Sequence, residues 1–183
     1  VKDAGPQLLV CQLDGRRSDG GSVAKTFRAL SEATGAGVVL EVIVPGMATP
    51  ASELEPVRRA VGDAGLKLAA VTVSPAAHLK AVLPGSKGPD VPTFEETYAA
   101  ARAAFPGVPL GGGMYSYFTE LNRVRPPAGL LDFVTHTNAP IVHAADDVSV
   151  METLGSLPFI IQSTRTFIAG RPYRVGPSAI PAR

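Results

Sequence analysis

The sequence predicts an α/β fold of the (β/α)8 TIM-type barrel class, present as a fragment of about six βα units within one domain over residues 1–183. Three observations carry that expectation. Short, near-continuously apolar segments alternate with amphipathic ones, and successive apolar segments start roughly 30 residues apart, the rhythm of right-handed βαβ units around a buried parallel sheet. Polar and chargeable residues gather after the apolar segments, above all after the fourth, fifth and sixth, as they do where a barrel assembles a site from the C-terminal ends of many strands. The alternative, an open doubly wound sheet, lacks its usual phosphate signature. No G-x-G-x-x-G follows the first strand, and no G-x-x-x-x-G-K-[ST] occurs anywhere.

Taken in order, "QLLVCQLD" (Gln7–Asp14) reads as the first strand. Ser22 is placed to cap a helix over Val23–Thr34, with Val23, Phe27 and Leu30 as its apolar residues and Gly35 and Gly37 as its stop. "VVLEVIVP" (Val38–Pro45) is the second strand. Ser52–Ala64 is the second helix, with Val57 and Val61 on one face and Gly65 at its end. Leu66–Pro75 is the third strand, and His78–Pro92 reads as a loop, with His78 at the surface or rim. Thr93 opens the third helix, and Glu96 three residues on completes a capping box. Phe94, Tyr98 and Ala101 form its apolar stripe. "VPLGGG" is the fourth strand, Leu130–Thr137 the fifth and Tyr173–Ile180 the sixth. Between the last two, Val148–Leu154 and Phe159–Ala169 read as helices broken at Gly155 and Pro158.

Composition excludes several classes of function. Hydrophobic residues make up 45% and charged residues 18%, so the chain can bury a core and is not a disordered segment. A formal charge of +1 gives no electrostatic case for nucleic acid or an anionic membrane, and no apolar run approaches a membrane span. Cys11 is the only cysteine; it reads as core filler, compatible with a reducing compartment, and the expected location is the cytoplasm. The chain starts at Val1 without an initiating Met, which suggests a piece of a longer protein.

The chemistry concentrates in two stretches. "GGGMYSYFTELNR" (Gly111–Arg123) joins glycines at a strand end to Tyr115 and Tyr117, aromatic faces suited to a ring-shaped or sugar-like ligand. Within it Glu120 can act as a general acid or base or hold a ligand hydroxyl; equally, it can simply pair with Arg123 in a surface turn. Asn122 is a further polar candidate. "THTNAPIVHAADD" carries His136, Asn138, His143 and Asp146. A histidine with a nearby carboxylate can serve as an oriented base, and either Asp146 or Asp147 can cap the helix that follows. Three or four of these groups could also bind a divalent metal, although no pair of histidines has the i, i+4 helical spacing of a metal site; the expectation is no metal and no other cofactor. Arg174, near the sixth strand, can clamp a carboxylate or an oxyanion or form a structural ion pair.

"VPLGGGMYSYFTELNRVRPP", "LDFVTHTNAPIVHAADDVSVMETL" and "RPYRVGPSAI" together resemble the barrel domain of the D-apionate lactonase family, closely over Val108–Ile180 and more loosely over Gln7–Gly107. The resemblance implies a (β/α)8 barrel akin to that of clan-A glycoside hydrolases, and hydrolysis of a sugar-acid lactone in the breakdown of apiose. In those hydrolases the acid/base Glu follows the fourth strand. Glu120 matches that position by strand count, although Thr119 precedes it where the usual pair has Asn. The resulting expectation is a lactonase acting on a small sugar lactone. Glu120, His136 and His143 form its catalytic set, with Tyr115, Tyr117, Asn122, Arg123, Asn138, Asp146 and Arg174 around the substrate. The alternatives are a retaining glycoside hydrolase using Glu120 as acid/base, or a non-catalytic carbohydrate-binding barrel. Six strands would leave open sheet edges, so a missing C-terminal segment, a second copy pairing edge to edge or another chain covering the face is expected to complete the fold.

Overall fold

A computed structural model describes residues 2–17, 19–80, 83–85, 87–141 and 144–179. The chain divides into two compact units, Val1–Ala77 with Pro89–Gly111, and His78–Gly88 with Gly112–Arg183.

The first unit holds β1 (Leu8–Asp14), α1 (Gly20–Thr34), β2 (Gly37–Val44), α2 (Pro50–Ala64), β3 (Leu68–Pro75), α3 (Phe94–Ala104) and the start of β4 (Leu110–Met114). Its strands lie side by side in chain order, β1 against β2, β2 against β3 and β3 against β4, and every pairing is parallel. That is the arrangement repeated right-handed crossovers produce. Val38, Leu40 and Val42 of β2, Leu54 of α2 and Val71 of β3 are all fully buried. Each such side chain contributes about 1.5–3 kcal/mol relative to exposure, which makes this the thermodynamic centre of the unit. Val57 and Val61 are buried along α2 with Leu54 and Ala64, and Phe94, Tyr98 and Ala101 along α3, so both expected helix stripes are present.

The helix ends follow local chemistry. The Thr93–Glu96 capping box is fully formed at α3. Two other N-termini lie earlier than the sequence suggests. α1 starts at Gly20, and Ser22 sits inside its first turn, where its hydroxyl donates to the Asp19 carbonyl at 2.8 Å instead of capping. α2 starts at Pro50, whose fixed φ and missing N–H suit the first turn, and Thr49 caps it by accepting from Ser52 N–H. The Glu53 carboxylate ties down the preceding loop by accepting from the backbone N–H groups of Gly46, Met47 and Ala48.

The second unit carries the end of β4, α4 (Phe118–Val124), β5 (Phe133–Asn138), α5 (Asp147–Thr153), α6 (Leu157–Arg165) and β6 (Tyr173–Ser178), with β5 and β6 parallel. Four expectations change here. The stretch around Glu120, for which a surface turn is one of two readings of the sequence, is a short helix. β5 starts at Phe133, because Ala128–Leu130 winds into a 3-10 turn. Pro158 does not break the last helix but sits in its first turn, where no donor is needed. His78 is buried rather than at the rim. No helix among the described residues is long and apolar enough to cross a membrane.

Candidate functional site

In the second unit, β4 delivers the chain into Tyr115–Tyr117 and then α4. Gly113 has φ +132°, and a Cβ built there would collide with the carbonyl oxygen of Thr135. Glycine therefore lets the strand end run against β5 at this point. The contact is extended by Thr137, whose N–H donates to Ser116 O at 2.9 Å and whose hydroxyl lies 2.8 Å from the same carbonyl. Tyr115 is buried, and Tyr117 stands at the N-cap position of α4, where its carbonyl accepts from Glu120 N–H at 3.1 Å.

Glu120 is 4% exposed. Its carboxylate accepts from the Thr119 hydroxyl at 2.7 Å and from Arg123 Nη1 at 3.4 Å, so the local ion pair exists. Asn122 is exposed, and its side-chain oxygen accepts from Arg125 Nη2 at 2.9 Å.

His136 is 1% exposed. Its Nδ1 lies 2.7 Å from the Thr137 carbonyl, which can only accept, so the proton resides on Nδ1. Nε2 is then the acceptor for the Tyr173 hydroxyl at 2.5 Å. Burial pushes the imidazole below its ordinary value against the opposing pull of that carbonyl, and burial likewise raises the Tyr173 phenol. The Phe118 ring of α4 packs 6.2 Å from the imidazole, and the Thr164 hydroxyl of α6 reaches Tyr173 Oη at 3.3 Å. His136 thus points into the helical layer. Thr135 and Arg174 are register partners on the opposite face, where the Arg174 guanidinium lies 3.8 Å from the centre of the Phe133 ring.

Glu120, Thr119 and Arg123 are therefore in direct contact, and His136 meets their helix through Phe118. Arg174 belongs to the other sheet face. Asp146 is exposed and caps α5, accepting from Ser149 N–H, an interaction that holds its carboxyl below the ordinary range. Asn138 is half-buried at the end of β5, and its carbonyl accepts from Ala179 N–H. His143 lies outside the described residues. Among the described residues no group of three or more His, Cys, Asp or Glu could hold a metal ion.

Sequence reasoning passed over two further features. The Ser116 hydroxyl is buried with no hydrogen-bond partner among the described residues. In the first unit, register places Gln12, Glu41, Thr72 and Gly111 in one row across β1, β2, β3 and β4. Glu41 is 3% exposed and accepts from Gln12 Nε2 at 3.2 Å. Its signal was plain: one carboxylate within an otherwise apolar "VVLEVIV". A cavity of about 320 Å³ borders Gln12, Leu13, Asp14, Arg17, Asp19 and Val23.

The whole chain, residues 1–183, matches the family model described as "D-apionate lactonase, TIM barrel domain". It is 47% identical over 183 residues to the D-apionate lactonase of Brucella anthropi, a match covering all of this chain and 30% of that protein. The chain thus spans less than a third of the curated relative's length. On this match and on its parallel strands with alternating helices, the chain belongs to the D-apionate lactonase family, as its TIM barrel domain.

Proposed function

We propose that this domain serves the hydrolysis of a small sugar-acid lactone of the D-apionate type. The observation that carries the reading is the 47% identity to a D-apionate lactonase, sustained over the entire chain. In such a reaction water attacks the lactone carbonyl carbon and gives its proton to a base, while the carbonyl oxygen gains charge. Collapse of the tetrahedral intermediate breaks the ring C–O bond, and the departing oxygen takes up a proton to give the open hydroxy acid.

Glu120 is the base in this reading. Thr119 and Arg123 hold its carboxylate in one orientation. Arg123, half-exposed beside it, is the group to face the developing oxyanion, with Asn122 and His143 as further hydrogen-bonding candidates. Tyr115 and Tyr117 flank the same strand end. His136 has both ring nitrogens engaged, so its part is to position α4 through Phe118.

The test assays the full-length protein against aldonolactones and aryl glycosides in parallel. Lactone opening without glycoside cleavage is expected, and Glu120→Gln should lower kcat by about 10²-fold or more with the fold retained. Glycoside cleavage alone would overturn the lactonase reading. Unchanged turnover in Glu120→Gln would return that residue to a local ion pair.

A further inference from the structure

The row Gln12–Glu41–Thr72–Gly111 has a composition that a purely structural strand layer does not need. The inward layers of a parallel barrel are normally filled by branched apolar side chains. Along the same face of β2, two residues to either side of Glu41, stand Val39 and Ile43, which follow that rule. A carboxylate in such a place loses hydration, a penalty that hydrogen bonds must offset. Its charge is felt behind the sheet, where Glu41 adds to burial in pushing up the Cys11 thiol.

The partner makes the arrangement directional. Gln12 is exposed, Glu41 is buried beside it, and one N–H of the Gln12 amide points at the carboxylate. An amide has two N–H donors and a carbonyl acceptor. Fixing one donor on a carboxylate, which can only accept, settles which end of the amide is which. The second donor and the carbonyl are then presented with a defined orientation at the residue that also borders the 320 Å³ cavity. At the other end of the row, opposite Thr72, Gly111 has no side chain.

We infer that Gln12 and Glu41 form a polyol-recognition pair: Gln12 donates to and accepts from adjacent hydroxyls of a polyhydroxylated acid or its lactone, and Glu41 is the positioning residue that orients the Gln12 amide. This rests on the lactonase reading for the identity of the polyol, not for the pair itself.

The experiment uses the full-length protein, with calorimetric binding of D-apionate and lactone kinetics measured side by side. Gln12→Ala should raise the Kd for D-apionate and the KM about tenfold, the size of one lost oriented hydrogen bond of about 1.4 kcal/mol, while kcat stays within threefold. Gln12→Ala also takes a donor from the buried Glu41 carboxylate, so a Tm fall of a few degrees with the fold retained is expected beside the binding loss. Glu41→Gln, which keeps shape but lets the two amides pair either way round, should raise Kd by a similar factor. A Gln12→Ala protein that binds D-apionate as tightly as the wild type overturns the proposal, even if lactonase activity is present. A wild-type protein that opens no lactone yet binds D-apionate, more weakly in Gln12→Ala, keeps the pair and sinks the lactonase reading. If the wild type binds neither D-apionate nor a simple acyclic polyol, the pair is structural.

Discussion

The Tyr173 hydroxyl of β6 donates to Nε2 of His136 on β5, and that bond closes the only open valence of a fully buried imidazole. Tyr173→Phe leaves Nε2 as a buried acceptor without its donor. The expected loss is about 1–3 kcal/mol, seen as a Tm fall of several degrees in thermal unfolding. The double variant His136→Leu, Tyr173→Phe should lose less than the two single variants combined, because it removes the polar need together with its partner.

His78 and His136 bind protons less readily when folded. Burial lowers His136 and His78 below the ordinary 6.5. At acid pH the unfolded chain therefore holds more protons than the native one, so stability rises with pH there. The histidine contribution is complete above pH 6.5 and is lost as pH falls from 6.5 towards the lower folded values. Tyr173 has the mirror behaviour. Its phenol is raised above 10, so stability is lost as pH climbs past 10. Urea titrations across pH 5–11 should give a plateau between these limits, and the acid slope should shallow in His136→Gln. An acid slope unaltered by that substitution would show that the ring stays solvated.

Gly113 and Gly129 offer a contrast within one unit. A methyl at Gly113 meets the Thr135 carbonyl while the backbone holds φ +132°; at Gly129 nothing lies within 4 Å. Gly113→Ala should destabilise by more than about 3 kcal/mol or fail to fold, whereas Gly129→Ala should stay within about 1 kcal/mol. Comparable soluble yield and Tm for the two variants would contradict the close approach of β4 to β5.

Thr93→Ala removes the hydroxyl that accepts from Glu96 N–H and donates to the Glu96 carboxylate, and leaves only the backbone N–H of residue 93 bonded to that carboxylate. Loss of about 1 kcal/mol is expected, with hydrogen exchange rising first in the opening turn of α3.

The contrast between Thr93 and Ser22 explains what the sequence could convey. At Thr93 the cap, its partner three residues on and the apolar stripe all agree, and the helix begins where they say. At Ser22 the hydroxyl finds the Asp19 carbonyl, a choice local spacing does not distinguish from capping. The strands were legible because their residues are apolar on both faces, and that same property hid which face each residue takes. Nothing in "DFVTHTN" says that His136 turns to the helices while Thr135 and Arg174 share the other side; register with β6 decides it. Glu120 could be read as a candidate because its stretch is polar. Glu41 was passed over because a strand of valine, leucine and isoleucine invites treatment as one apolar block. Its meaning appears only when Gln12, 29 residues earlier in the chain, is brought alongside.

Because β1, β2, β3 and β4 pair strictly with their neighbours in the chain, every ladder in the first unit joins segments roughly 30–40 residues apart and none spans the unit in a single step. During synthesis from the N-terminus, a strand leaving the ribosome waits only for the next helix and strand before its backbone groups are met. Growth can therefore proceed one βα repeat at a time, with loop-closure entropy charged in small, similar instalments. Pulse-labelled hydrogen exchange on stalled chains should then show β1 and β2 protected together before β4 has been made.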